Sequence, residues 1–144
     1  MTPAARLAAA IEVLADLDGR RRPVADALKD WGLSHRFAGS GDRAVIGNIV
    51  YDVLRWRLSS AWAMGEETPR ALVLGTVGRR WGLGSAGLAA QIEGDRHGPA
   101  PLSPGEAERI DGADLDLAPP AIRADIPDWV APHLERAFGE AWVA

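Results

Sequence analysis

The amino-acid sequence predicts an all-α protein, and three observations lead there. Alanine, the strongest helix former, fills 26 of the 144 positions. Apolar residues recur at three- and four-residue spacing through segment after segment of the N-terminal two thirds. Alternating runs of Val, Ile, Thr and Tyr, which would mark half-buried strands, are missing. A chain of 144 residues holds one domain and at most a short appendage. It buries roughly 70% of its unfolded surface without help from disulfides or metal.

The elements follow in order. Thr2-Pro3 supplies an N-cap and an N1 proline, and Leu7, Ile11, Leu14 and Leu17 keep helical spacing up to Gly19. Pro23 opens a shorter helix carrying Val24, Leu28 and Trp31, closed by Gly32. The strongest element spans about Asp42 to Ala63, with Ile46, Ile49, Val50 and Val53 on one face and Asn48, Asp52 and Arg55 opposite. Thr68-Pro69 caps a helix bearing Val73, Val77 and Trp81 and ending at Gly82. Ser85 is read as the cap of another, with Leu88 and Ile92. Ser103-Pro104-Gly105-Glu106 is a capping box opening about two turns of helix.

Punctuation then changes. Seven of the ten prolines follow residue 98, and 94–102 and 111–120 read as loops. Residues 1–93 therefore form the helical body, and 94–144 a linker that wraps it or leads away. Pro127 starts a final amphipathic helix through Trp129, Val130, Leu134, Ala137 and Phe138, running to Trp142 and Val143 without a C-cap. The pattern stops with apolar residues pending, as in an element whose continuation lies beyond Ala144; a frayed terminus is the other reading.

Composition excludes several chemistries. With no cysteine there is no disulfide framework, thiol nucleophile or thiolate zinc site. His35, His97 and His133 lie far apart and lack metal-ligand spacing, so no metal is expected. No stretch approaches the roughly 20 apolar residues of a membrane span, and the N-terminus does not resemble a signal peptide, so a cytoplasmic protein with no membrane partner is expected. Gly82-Leu83-Gly84-Ser85-Ala86-Gly87 matches the G-x-G-x-x-G nucleotide fingerprint in letters. That fingerprint needs a strand before it and a second strand after it. The Thr68 helix occupies the first place and Pro99, Pro101 and Pro104 the second, so a helix-to-helix turn is expected and no cofactor. Ser34-His35 are adjacent and lack an orienting carboxylate. No catalytic residue is assigned, and these 144 residues are not expected to be an enzyme by themselves.

The remaining chemistry is basic. Arginine outnumbers lysine 15 to 1, and charge is divided along the chain. Residues 1–97 hold 13 Arg and Lys against 11 Asp and Glu, whereas 98–144 hold 3 against 9, consistent with a total of −4. Arg20-Arg21-Arg22 follow the first helix, Arg36 and Arg43 flank a Gly39-Ser40-Gly41 loop, Arg55 and Arg57 end the long helix, and Arg79 and Arg80 end the next. Cations near helix C-termini gain from the dipole without any ligand. Gathered together, the same groups would grip a phosphate backbone, with Arg20–Arg22, Arg36 and Arg43 the leading set. The overall acidity argues against nucleic acid. Of the six tryptophans, Trp31 and Trp81 continue apolar stripes, while Trp56 lies beside its stripe and is a candidate surface contact.

The run Ser40–Arg57 (SGDRAVIGNIVYDVLRWR) resembles the "DRa…lvyxvLRwr" helix of NusB-like domains. It is most similar to those at the N-terminus of bacterial 16S rRNA cytosine-C5 methyltransferases, the RsmB or Fmu/Sun family. Thr2–Leu17 is similar to that family's first helix, and Pro127-Asp128-Trp129 with Phe138-Gly139-Glu140 to its "P-x-W-l…fGe" linker. The resemblance implies an all-α NusB-like bundle with a Pro-rich C-terminal linker and a terminal helix. It implies an RNA-binding accessory domain that helps position 16S rRNA, followed in the full-length enzyme by a methyltransferase domain. The S-adenosylmethionine pocket and two catalytic cysteines of that family belong to the catalytic domain and are not in this sequence. A protein-interaction module, docking on its own methyltransferase domain or on a transcription partner, is the alternative. An independent antitermination factor is disfavoured by the acidic tail.

Overall fold

The computed structural model describes residues 1–127 and 129–139, all of whose regular elements are helical. In chain order these are α1 (Pro3–Arg20), α2 (Val24–Ser34), α3 (Ser40–Arg55), α4 (Arg57–Met64), α5 (Pro69–Gly75) with a π-helical continuation over Thr76–Arg80, α6 (Gly84–Ile92), α7 (Pro104–Gly112), a 3-10 turn at Leu115–Leu117, α8 (Pro120–Arg123) and α9 (Ala131–Phe138). The all-α expectation holds for the described residues.

Helix α5 is the centre. Every residue from Ala71 to Gly78 is buried, so this is an apolar rod enclosed on all sides, not the one-striped helix that Val73, Val77 and Trp81 suggest. Leu72, Val73 and Leu74 are fully inaccessible, and burying such side chains contributes roughly 1.5–3 kcal/mol each. Helices α1, α3, α4 and α7 lie against α5. The glycines let neighbours come close: a Cβ on Gly75 would sit 2.8 Å from Met64 Cγ, and one on Gly78 2.8 Å from Ile110 Cγ2 and 2.9 Å from Leu88 Cδ1. The one polar pair in this stretch is satisfied internally, Ser60 Oγ to Thr76 Oγ1 at 3.1 Å. Trp81 N donates to Thr76 O at 3.1 Å, the five-residue step of a π turn. Trp81 itself ends at the surface with its indole N–H on Asp52 Oδ2 at 2.8 Å.

Helices α1 and α3 run parallel. At their N-terminal ends Arg6 grips Asp42 Oδ1 through Nε at 2.9 Å and Nη2 at 2.7 Å. At their C-terminal ends Arg57 reaches Asp18 at 3.4 Å. Asp42 also accepts from Gly39 N at 3.2 Å and faces the Met1 amino group at 3.6 Å. The anticipated face of Ile46, Ile49, Val50 and Val53 is buried. Helix α2 returns antiparallel between these ends, Trp31 meeting Glu12 on α1 and Gly47 on α3 lying against Leu28.

Cap signals close in sequence act as read. Thr2, Thr68 and Ser103 each accept from the backbone three residues on, and Glu106 completes its box to Ser103 N at 2.9 Å. Three boundaries differ. Helix α1 continues through Gly19, and Arg21 adopts the left-handed cap conformation at φ 49°. Ser40 and Gly41 belong to α3, so the loop is shorter than the three-residue reading. The long helix breaks at Trp56 (φ −112°, ψ 29°) into α3 and α4. The break has a tertiary cause: Asp125 Oδ1 accepts from Ser59 N at 2.7 Å and Oδ2 from Ser59 Oγ at 2.8 Å, so α4 receives its N-terminal cap from beyond α8.

Residues 98–126 wrap the body. Gly98 sits against Ala4, Ile110 enters the main core and Ala118 is buried. Ser85 does not cap α6; it lies in the first turn, and Asp111 accepts from both its N–H (2.9 Å) and its hydroxyl. Gly82 and Gly84, both at positive φ, make the tight turn into α6 between two helical segments. Among the described side chains α9 contributes no core residue, and Trp129 and Phe138 are 74% and 65% exposed. Trp142 and Val143 lie outside the described residues.

Substituting Gly78→Ala overpacks the α5–α7 contact and should cost about 1–3 kcal/mol, seen as a lower urea midpoint at unchanged m-value. The carboxyls of Asp42, Glu106 and Asp111 are held below their usual range, chiefly by Arg6, Arg70 and Ser85 respectively. Their contribution is complete above the unfolded-state carboxylate pKa of about 4 and is lost as pH falls through the lower folded values. The melting temperature should therefore hold from pH 7 to 5 and fall below about pH 4. Asp42→Asn should flatten that fall.

Candidate nucleic-acid interface

Nine arginines stand out in the sequence; the fold distributes seven over both ends of the α1–α2–α3 layer and puts Arg79 and Arg80 at the end of the α5 continuation. Arg20, Arg21, Arg22, Arg55 and Arg57 lie at the end where α1 and α3 finish. Arg36 and Arg43 lie at the other, where α2 finishes and α3 begins, Arg43 Cδ resting beside Gly32. The leading set of five is therefore not one patch.

Most of the guanidinium groups have internal partners. Asp16 holds both Arg20 (3.0 Å) and Arg22 (3.1 Å), and Arg22 also pairs with Asp30 at 2.7 Å and donates to Asp26 O at 3.0 Å. The hydrogen bond to Asp30 raises the Arg22 pKa. Arg57 bridges Asp18 and Glu67, the latter at 2.9 Å. Arg79 donates to the carbonyls of Ile110 (3.0 Å) and Arg109 (3.4 Å) at the end of α7; burial, then the charge of Arg80, lowers its pKa. That is the dipole-and-cap role open to any cation at a helix C-terminus. Trp56 is a platform: the guanidinium carbons of Arg55 and Arg80 lie 5.5 and 5.1 Å from its ring centre. Arg80 also touches Ser59 Oγ at 3.3 Å and Asp125 at 3.5 Å.

Arg21, Arg36, Arg43 and Arg55 are exposed and make no ion pair among the described residues. Two of these four, Arg36 and Arg43, share the α2–α3 end with a cluster of aromatic rings. Trp31 and His35 are one helical turn apart and stack at 4.2 Å between centres, 6° from parallel. Phe37 meets His35 edge-on at 5.8 Å and leaves 73% of its surface in solvent. The stack is fixed by hydrogen bonds: Trp31 Nε1 donates to Glu12 Oε2 at 3.0 Å, and His35 Nδ1 lies 2.8 Å from Trp31 O. His35 is thus occupied as a stacking ring and does not activate Ser34.

Between this cluster and the start of α1 runs a groove of about 500 Å³. Ala5, Ala8 and Ala9 of α1, the Trp31, His35 and Phe37 rings, and His97 line it. Glu12 is its acidic group. The sequence offered a signal for this site in the Trp31–His35 spacing and the aromatic residue in the following loop, but Trp31 reads there as core and Phe37 as nothing in particular. Among the described residues no group of three His, Asp or Glu could hold a metal ion, and no helix is long and apolar enough to cross a membrane.

Comparison with protein-family models, with curated proteins and with solved structures finds no match for this chain.

Proposed function

We propose that this chain is an RNA-contacting accessory module, of the kind implied by its resemblance to the NusB-like domains of rRNA cytosine-C5 methyltransferases. In that setting a separate catalytic domain supplies the S-adenosylmethionine chemistry, and this module helps hold 16S rRNA. The observation that carries the reading is the α2–α3 end. There Arg36 and Arg43, which have no carboxylate partner among the described residues, share the end of the helical layer that also carries an exposed phenyl ring and a Trp–His stack. Phosphate-gripping cations interleaved with aromatic faces are what single-stranded RNA requires. Arg22, Arg57, Arg79 and Arg80 are assigned to holding segments together, Arg20 to a pair within α1, and Arg21 and Arg55 to secondary phosphate contacts at the far end.

A second reading, docking on a protein such as the methyltransferase domain itself, draws on helix α9, whose Trp129 and Phe138 are exposed. Hydrogen exchange separates the two: protection of 129–138 by the catalytic domain supports docking, and protection of 31–43 by RNA supports the interface.

Fluorescence anisotropy with 16S rRNA fragments should show log affinity falling linearly with log salt, by about 0.7 per phosphate contacted on single strands. Arg36→Ala and Arg43→Ala should each lower that slope by about 0.7 and leave the melting temperature unchanged. Arg22→Ala should do the reverse, lowering the melting temperature through loss of its Asp16 and Asp30 pairs while the slope stays the same. A salt-independent response, or no binding at low ionic strength, overturns the proposal.

A further inference from the structure

We infer that the groove between α1 and the Trp31–His35–Phe37 cluster is a nucleobase site that accepts an unstacked base bearing an amino group and disfavours uracil. The inference rests on the RNA reading above and names what that interface would recognise. Three features of the groove point to a base. Its volume of about 500 Å³ admits a single nucleoside with room to spare. Ala5, Ala8 and Ala9 line it with small apolar side chains, and Phe37 leaves 73% of its surface in solvent, free to meet an aromatic ring. Each base has a π face to offer, so stacking here supplies affinity without selectivity.

Selectivity comes from Glu12. Its Oε2 is held by Trp31 Nε1 at 3.0 Å and lies 3.9 Å from His35 Nε2, which fixes the carboxylate at the groove wall. Oε1 has no hydrogen-bond partner among the described residues. A fixed carboxylate oxygen accepts and cannot donate. It therefore suits cytosine N4, adenine N6 or the guanine amino edge, as acidic side chains do when they read cytosine. Uracil presents an N3–H flanked by two carbonyl oxygens, and those lone pairs face the carboxylate unfavourably. Arg36 follows His35 and precedes Phe37 in the chain and is exposed, which keeps a guanidinium group within the segment that bears the groove's rings.

The cleanest probe pair is r(C)8 against r(U)8. The two oligonucleotides carry the same charge at neutral pH and differ at each base only along one edge, a 4-amino group and bare N3 against a 4-carbonyl and an N3–H. Anisotropy titrations at fixed salt should give r(C)8 about tenfold tighter binding than r(U)8. Glu12→Gln should bring that ratio close to one, because the amide keeps the acceptor for Trp31 while offering uracil a donor. Phe37→Ala should weaken both about tenfold without changing their ratio. Thermal melts of both variants should match the parent, which excludes misfolding as the cause. Equal, salt-dependent binding of the two oligonucleotides, unaltered by Glu12→Gln, overturns the base site and leaves the RNA interface standing. Absence of salt-dependent binding to either overturns both.

Discussion

The structure depends on one close approach. From Ala71 to Gly78 the chain is surrounded on every side, and that enclosure requires neighbours to touch the backbone of α5 where Gly75 and Gly78 leave no side chain in the way. Dense contact of this kind, more than helix propensity, is what holds short helices in place. Helix α4 has eight residues and α5 seven, too few to persist in water unaided. They exist because each covers the other, α3 and α7 lie against both, and α1 covers α5 while α8 covers α4. The π turn that continues α5 belongs to the same arrangement, since it carries the chain past Ile110 and Leu88 without breaking the ladder of backbone hydrogen bonds.

Around that centre, charge is used locally to tie helix ends together. Asp42, Asp16, Asp18, Glu106 and Asp111 each join two segments distant in sequence or at a helix boundary. An acidic protein can still present a basic spot under this arrangement, because many of its carboxylates face inward across helix junctions toward guanidinium partners. Of the arginines that stand out in the sequence, four are exposed without an ion pair among the described residues: Arg36 and Arg43 at the α2–α3 end, Arg21 and Arg55 at the other. In the proposed interface such cations would supply salt-dependent affinity and position, and stacking on Phe37 would add to it.

How much of this could be read from the sequence follows the range of each interaction. Thr2-Pro3, Thr68-Pro69 and the Ser103–Glu106 box announce their helices because cap and backbone lie three residues apart. The buried face of α3 was equally legible from its period. The division of the long helix at Trp56 was not, since its cause is a carboxylate 66 positions away. Ser85 looked like a cap and is instead held by Asp111, again a distant partner. At the site, the arginines were legible as a class but not as individuals. Nothing in the run Arg20-Arg21-Arg22 tells the paired from the unpaired; that required knowing that Asp30 on α2 folds back beside Asp16 on α1. The aromatic cluster was visible as spacing yet unassigned, because exposure is a tertiary property.

The cap that Asp125 places on α4 also has a bearing on synthesis. A ribosome releases residues 57–64 long before it releases residue 125, so α4 waits, its first amide groups bare, until the strap behind α8 has emerged. The N-terminal helices can gather early, but the bend at Trp56 acquires its final angle last. A chain ending between α7 and α8 would thus lack the carboxylate that holds Ser59, and with it the contact that braces the elbow at Trp56.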